Sequence, residues 1–144
     1  MIALDTNILV YAHREDTPFH QKAAGCVAKL AEGRAAWAIP WPCLHEFLAI
    51  VTRHGIYRPP TPLPVALDHV DSLLESPTLV LLAESEQHWG DLRTLLVTSQ
   101  VTGARVHDAR IAALCRQHGV RELWSADRDF GRFPDLEVVN PLVH

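Results

Sequence analysis

The chain has 144 residues, enough for one domain with its own core. At 48% hydrophobic and 21% charged it is not a disordered polymer. No apolar run reaches the roughly 20 residues that cross a bilayer, and no basic segment precedes a short apolar one as in a secretory signal, so a cytoplasmic protein without membrane contact is expected. The net charge of −4 argues against holding nucleic acid through a generally basic surface.

Eleven Arg stand against two Lys, and the planar guanidinium fork suits local grip on phosphate or carboxylate. Cys26, Cys43 and Cys115 are odd in number, show no metal-ligand spacing and fall in helical patterns, so they read as reduced core residues.

In chain order, Ile2 to Leu4 is a short β-favouring run that stops at Asp5. Thr6 and Asn7 follow, and a helical segment begins near Ile8. This is a strand-to-helix junction with a carboxylate at the strand's carboxyl end, where ligands bind in open α/β sheets. Thr17-Pro18 reads as an N-cap and first helical position, with Ala23, Val27 and Leu30 at helical spacing and Gly33 as the stop. A second strand is expected over Ala36 to Ile39, and a helix from Pro42 to about Arg53. Tyr57 to Pro64, with prolines at 59, 60, 62 and 64, reads as a loop.

Beyond it come a helix from Val65 to Glu75, a strand from Thr78 to Leu82, and a helix from Ser85 to Gln100 with Trp89, Leu92, Leu95 and Leu96 inward. A turn at Thr102-Gly103-Ala104 leads to a helix from Ala109 to Gln117, ended by Gly119. Strands over Glu122 to Trp124 and Glu137 to Val139 flank a loop from Ser125 to Pro134. Strands alternating with helices imply a parallel sheet covered on both faces. GxGxxG and GxxxxGKS loops are both absent, so neither a dinucleotide site nor a P-loop is supported.

Five acids stand out, each with a plain alternative reading. Asp5 follows a strand and could simply cap a helix. Glu46 lies at the border of an apolar helical stripe, where a Glu is usually solvated. Asp108 projects onto the inward face of its helix, costly for a carboxylate unless it is paired, bound to metal or used as a cap. His107 beside it reads as structural. Asp127 and Asp129 follow the strand ending at Trp124, and Asp129 could cap the turn through Phe130 and Phe133. A parallel sheet gathers such points at one edge. Clustered carboxylates such as Asp5 and Asp108 should raise each other's pKa, and a divalent cation would relieve them. Oxygen ligands favour Mg²⁺ or Mn²⁺ over Zn²⁺, and such a site suits water activation and stabilisation of phosphoryl oxygens.

The set LDTN at Leu4 to Asn7, a helical Glu46, Asp108 within VHDARIAALCRQHG, and LWSADRDFGRF at Leu123 to Phe133 resembles the PIN domain. It is most similar to VapC toxins of type II toxin-antitoxin systems. The resemblance spans Ile2 to Asn140. It implies a three-layer α/β/α fold with a central parallel sheet, one domain over residues 1–144, and endoribonuclease activity. Asp5, Glu46, Asp108 and Asp127 would be the catalytic acids holding Mg²⁺ or Mn²⁺. Asn7 and Ser125 match supporting polar positions, with Ser125 where Thr is frequent, and Asp129 is a further supporting acid.

The implied partners are RNA, a small cognate antitoxin and a second copy in a homodimer. Arg14, Arg110, Arg128 and Arg132 are the cations expected to hold the RNA backbone. Three rivals remain open: an RNA-processing PIN nuclease that is no toxin, an aspartyl-phosphate phosphatase or receiver using Asp5, and a non-catalytic binding module on the same fold. Asn at position 7 counts against the phosphatase, which usually needs a second Asp there.

Overall fold

A computed structural model of the chain describes residues 1–143, and of Arg132 the backbone alone. Five strands, β1 (Ile2–Leu4), β2 (Trp37–Pro40), β3 (Leu79–Leu82), β4 (Glu122–Trp124) and β5 (Glu137–Val139), form one sheet in the order β3-β2-β1-β4-β5. Every pairing is parallel, with Ala3 opposite both Ala38 and Leu123. The helices are α1 (Thr6–His13), α2 (His20–Glu32), α3 (Trp41–Val51), α4 (Leu63–Leu74), α5 (His88–Ser99) and α6 (Val106–Gln117), with 3-10 turns at Gly103–Arg105 and Arg128–Arg132.

Chain direction explains the layers. From β1 the chain steps outward to β2 and then β3, and from β3 it returns across the sheet to β4. Right-handed crossovers in opposite directions place their helices on opposite faces. Accordingly α1 packs on α2 and α3, and α3 on α4, while α5 packs on α6. The result is the expected α/β/α sandwich. Trp37, Phe47, Leu4, Ile8, Ile39, Leu114 and Leu123 are fully buried between the layers. The central strands carry no polar alternation because both of their faces are covered.

Most elements lie where the sequence puts them, with ends shifted by a few residues. Thr17-Pro18 does not begin a helix: α2 starts at His20, and the Thr17 hydroxyl donates to the Arg14 carbonyl instead. Leu63 and Pro64 belong to α4 rather than to the loop, because a proline in the first helical turn needs no N–H partner. Trp89 is 67% exposed, and α5 packs through the buried Leu95 and the half-buried Leu92 and Leu96. Helix α6 begins three residues early, at Val106, and ends where Gly119 takes a positive φ of 72°. Cys43 and Cys115 are core residues, whereas Cys26 is half-buried.

Candidate active site

The order reversal beside β1 opens a crevice at the carboxyl edge of the sheet. Helices α1 and α3 leave that edge. Helix α6 runs back from it toward the start of β4, so its first turn also lies there. A cavity of about 730 Å³ occupies this edge, and Asp5, Glu46, Asp108 and Asp127 all line it.

Asp5 is 5% exposed and serves as N-cap of α1, so the capping reading and the cavity-lining reading are both met. Its Oδ1 accepts from the Thr6 backbone N–H at 2.8 Å and from the Cys43 thiol at 3.7 Å. Its Oδ2 accepts from the Ser125 hydroxyl at 2.7 Å and from Asn7 Nδ2 at 3.5 Å. Burial, reinforced by the charge of Glu46, raises its pKa from 3.8 to about 6 against the pull of those donors. The neighbour acting on Asp5 is therefore Glu46 rather than Asp108, and desolvation outweighs repulsion.

Asn7 and Ser125 tie β1 to β4. The Asn7 amide donates to Ser125 Oγ at 3.3 Å, and its Oδ1 accepts from the Ala126 N–H at 3.1 Å. Ser125 Oγ in turn accepts from the Asp127 N–H at 2.9 Å. Ser125 is 1% exposed, and one hydroxyl thereby orients two acids.

Glu46 is exposed on α3, with Oε2 accepting from the Thr6 hydroxyl at 3.1 Å. Asp108 lies in the first turn of α6 but is not its cap. That position is Arg105, which makes no side-chain cap bond. Nor is Asp108 in the middle of a buried face: it is half-buried, at the cavity wall. Burial raises its pKa, followed by Asp127, Asp129 and Glu46, while Arg105 lowers it. Asp127, rather than Asp129, caps the turn after β4, accepting from the Asp129 N–H at 2.9 Å. Asp129 is exposed, lies outside the cavity lining and pairs with Arg105 at 3.0 Å.

The cations fall differently from expectation. Among the described residues, Arg110 is the one of the four that lines the cavity, and it is paired with Glu84 at 2.9 Å. Arg14 bonds Asp16 at 2.6 Å and lines a separate depression with Arg58 and Pro59. Arg128 is exposed and forms no ion pair among the described residues. The Arg132 side chain lies outside the described residues. Tyr11, Tyr57, His45 and His107 also line the cavity, and sequence pattern alone does not single them out as site residues. Position in α1, α3 and α6 beside the acids was the available signal for three of them. Tyr57 arrives by a loop whose path the sequence does not specify.

The donors suit a hard cation. Four carboxylates face one cavity, two with raised proton affinity, and Arg110, the one lining Arg among the described residues, is already paired. The side chains do not stand as a closed shell: among the described residues no three His, Cys, Asp or Glu side chains are grouped closely enough to hold an ion as they are. Metal binding would require the acids to draw inward. Cys43 is an unsuitable ligand, since burial raises its thiol pKa well above the usual value.

A family model described as PIN domain matches residues 2–136. Ribonuclease VapC43 of Mycobacterium tuberculosis is 34% identical over 142 residues, covering 99% of this chain and 96% of the relative. In fold, the chain matches a structure of VapBC2 from Rickettsia felis bound to a promoter DNA fragment, at TM-score 0.67 and 24% identity over 97% and 98% of the two chains. It also matches VapC20 of M. tuberculosis, a sarcin-ricin loop cleaving toxin, at TM-score 0.67 and 17% identity over 95% and 99%.

Proposed function

The chain belongs to the PIN-domain family, among the VapC ribonucleases, and from that premise we propose that it is a divalent-metal-dependent endoribonuclease acting as the toxin of a toxin-antitoxin pair. The observation that carries the activity is the convergence of Asp5, Glu46, Asp108 and Asp127 on one cavity. These four would hold Mg²⁺ or Mn²⁺. When bound, the ion supplies an activated water and a counter-charge for the phosphoryl oxygens.

The chain's own residues provide the setting. Ser125 and Asn7 fix the buried Asp5, while Thr6 spans Asp5 and Glu46 through its backbone N–H and its hydroxyl. The Ser125 hydroxyl holds the backbone that carries Asp127. Asp108 enters from the opposite helical layer, so the sandwich itself sets the spacing of the acids. A phosphoacceptor role for Asp5 lacks support, because the aspartyl-phosphate phosphatases usually need a second Asp two residues on, where this chain has Asn7 bonded to Asp5 Oδ2.

The toxin assignment and an antitoxin partner draw on the likeness to the VapC ribonucleases and the VapBC2 structure, and cover of the cavity by a small antitoxin, pairing as a homodimer and a single functional unit over residues 1–144 are proposed with it. Light scattering of the purified protein, alone and with the product of an adjoining small reading frame, reads the two assemblies. Purified protein should cleave RNA with Mg²⁺ or Mn²⁺ and stop in EDTA. Cleavage that persists in EDTA, or in Asp5→Asn, refutes the proposal.

A further inference from the structure

Arg105 breaks three local preferences. It stands at the N-cap of α6, where Ser, Thr, Asn and Asp are favoured, and its side chain makes no cap bond. A cation at a helix N-terminus opposes the helix dipole. Its Nη1 is buried and has no hydrogen-bond partner among the described residues, which costs the hydration of that donor. Such conflicts between local rule and fold are expected where a residue serves function. The contact that the guanidinium does make is an ion pair: Nη2 lies 3.0 Å from Asp129 Oδ1.

Neither Arg105 nor Asp129 lines the acid cavity, yet each is fastened to an acid that does. The Asp129 N–H donates to Asp127 Oδ1 at 2.9 Å. The Asp127 N–H donates to Ser125 Oγ at 2.9 Å, and that hydroxyl donates to Asp5 Oδ2 at 2.7 Å. On the other side, Asp108 follows Arg105 within the first turn of α6. A chain of bonds therefore runs from Asp5 to the start of α6. Among the described residues, the Arg105–Asp129 pair is the one hydrogen bond or ion pair joining the turn after β4 to that helix start.

We propose that Arg105 is a positioning residue: with Asp129 it forms a strut that sets the separation of Asp127 and Asp108, and so fits the cavity to a divalent cation. The inference rests on the metal-dependent reading above, and it assigns Asp129 to the strut rather than to the ion.

The strut and a mere bystander differ in sign. A cation beside a metal site repels the ion, so removing a bystander Arg would tighten metal binding. Removing a strut lets the acids move apart under their own repulsion and weakens binding. That repulsion is present at Asp108, whose pKa is raised by burial and then by Asp127, Asp129 and Glu46, while Arg105 lowers it. The two paired side chains are 35% and 51% exposed, so the pair adds little to global stability and its loss should leave the fold intact.

Metal-free wild type, Arg105→Gln, Asp129→Asn, the double variant and Arg105→Lys are titrated with Mn²⁺ by electron paramagnetic resonance, and melts in EDTA show that each is folded. Arg105→Gln and Asp129→Asn should each weaken Mn²⁺ binding by about tenfold. The double variant should be no weaker than either, and Arg105→Lys should keep most of the affinity. Saturating Mn²⁺ should recover RNA cleavage by Arg105→Gln, since all four acids remain. Mn²⁺ binding by Arg105→Gln as tight as wild type or tighter, additive losses in the double variant, or cleavage that saturating Mn²⁺ does not recover overturns the inference. If Arg105→Gln does not fold, Asp129→Glu decides, because it keeps the charge and lengthens the arm: weakened Mn²⁺ binding supports the strut and unchanged binding overturns it. Wild type that binds Mn²⁺ without cutting RNA sinks the nuclease reading alone. Wild type that binds and cuts, with an affinity indifferent to Arg105, sinks the strut alone, and wild type that binds no Mn²⁺ overturns both.

Discussion

At Asp5 the burial that fixes the carboxyl also opposes its charge. A rise from 3.8 to about 6 amounts to about 3 kcal/mol between protonation states. The folded protein holds this proton more tightly than the unfolded chain. The stabilising contribution is therefore complete below about pH 4 and lost as pH rises through about 6. Asn is a good N-cap and cannot ionise, so Asp5→Asn removes the dependence while retaining the cap. Without metal, the stability of Asp5→Asn relative to wild type should climb between pH 4 and 6, by up to about 3 kcal/mol, and then level off. Denaturant unfolding of both proteins across that range reads the difference. A gap independent of pH would mean that Asp5 ionises in the fold without penalty.

Among the elements, α4 offers a contrary case. His69 lies between Phe47, at 5.3 Å between ring centroids, and His13, at 4.7 Å, and its buried Nε2 has no hydrogen-bond partner among the described residues. Burial, and then the charge of His13, lowers its pKa to about 4. Here the unfolded chain binds the proton more readily, so the contribution is present above pH 6.5 and lost as pH falls toward 4. His69→Phe should lose less stability than wild type over that interval, read by thermal melts at stepped pH; parallel pH profiles would refute the account of α4.

Local pattern was enough to place most elements. Alternation of short apolar runs with helical stripes gave five strands and the parallel sheet, and Asp5 was legible because strand, carboxylate and helix start are adjacent in the chain. Contacts across the sheet were not legible. That Arg105 rather than Arg14 comes close to the acids depends on α6 starting three residues early, and Gly103–Arg105 carries no strong start signal. Helical periodicity places Trp89 inward because it reports spacing, not which face meets a neighbour, and Trp89 is exposed.

Across the whole molecule, the modest net charge conceals a sharply uneven distribution. Four carboxylates from both helical layers face one cavity, and the nearby cations Arg105 and Arg110 are paired with Asp129 and Glu84. The fold supplies the oxygens for a cation but not its charge. A divalent ion should therefore stabilise the native state by mass action and act on all four acids together. The most direct measurement is Mn²⁺ binding followed by electron paramagnetic resonance at neutral pH, with single-turnover RNA cleavage measured on the same samples. The proteins are wild type, Asp5→Asn, Glu46→Gln, Asp108→Asn, Asp127→Asn, and Glu32→Gln as an exposed acid at the end of α2, outside the cavity lining. The account predicts that each of the four cavity variants weakens Mn²⁺ binding by about tenfold or more and loses cleavage in step, while Glu32→Gln keeps both. Unchanged Mn²⁺ affinity in the four variants, or cleavage retained by them, would contradict it.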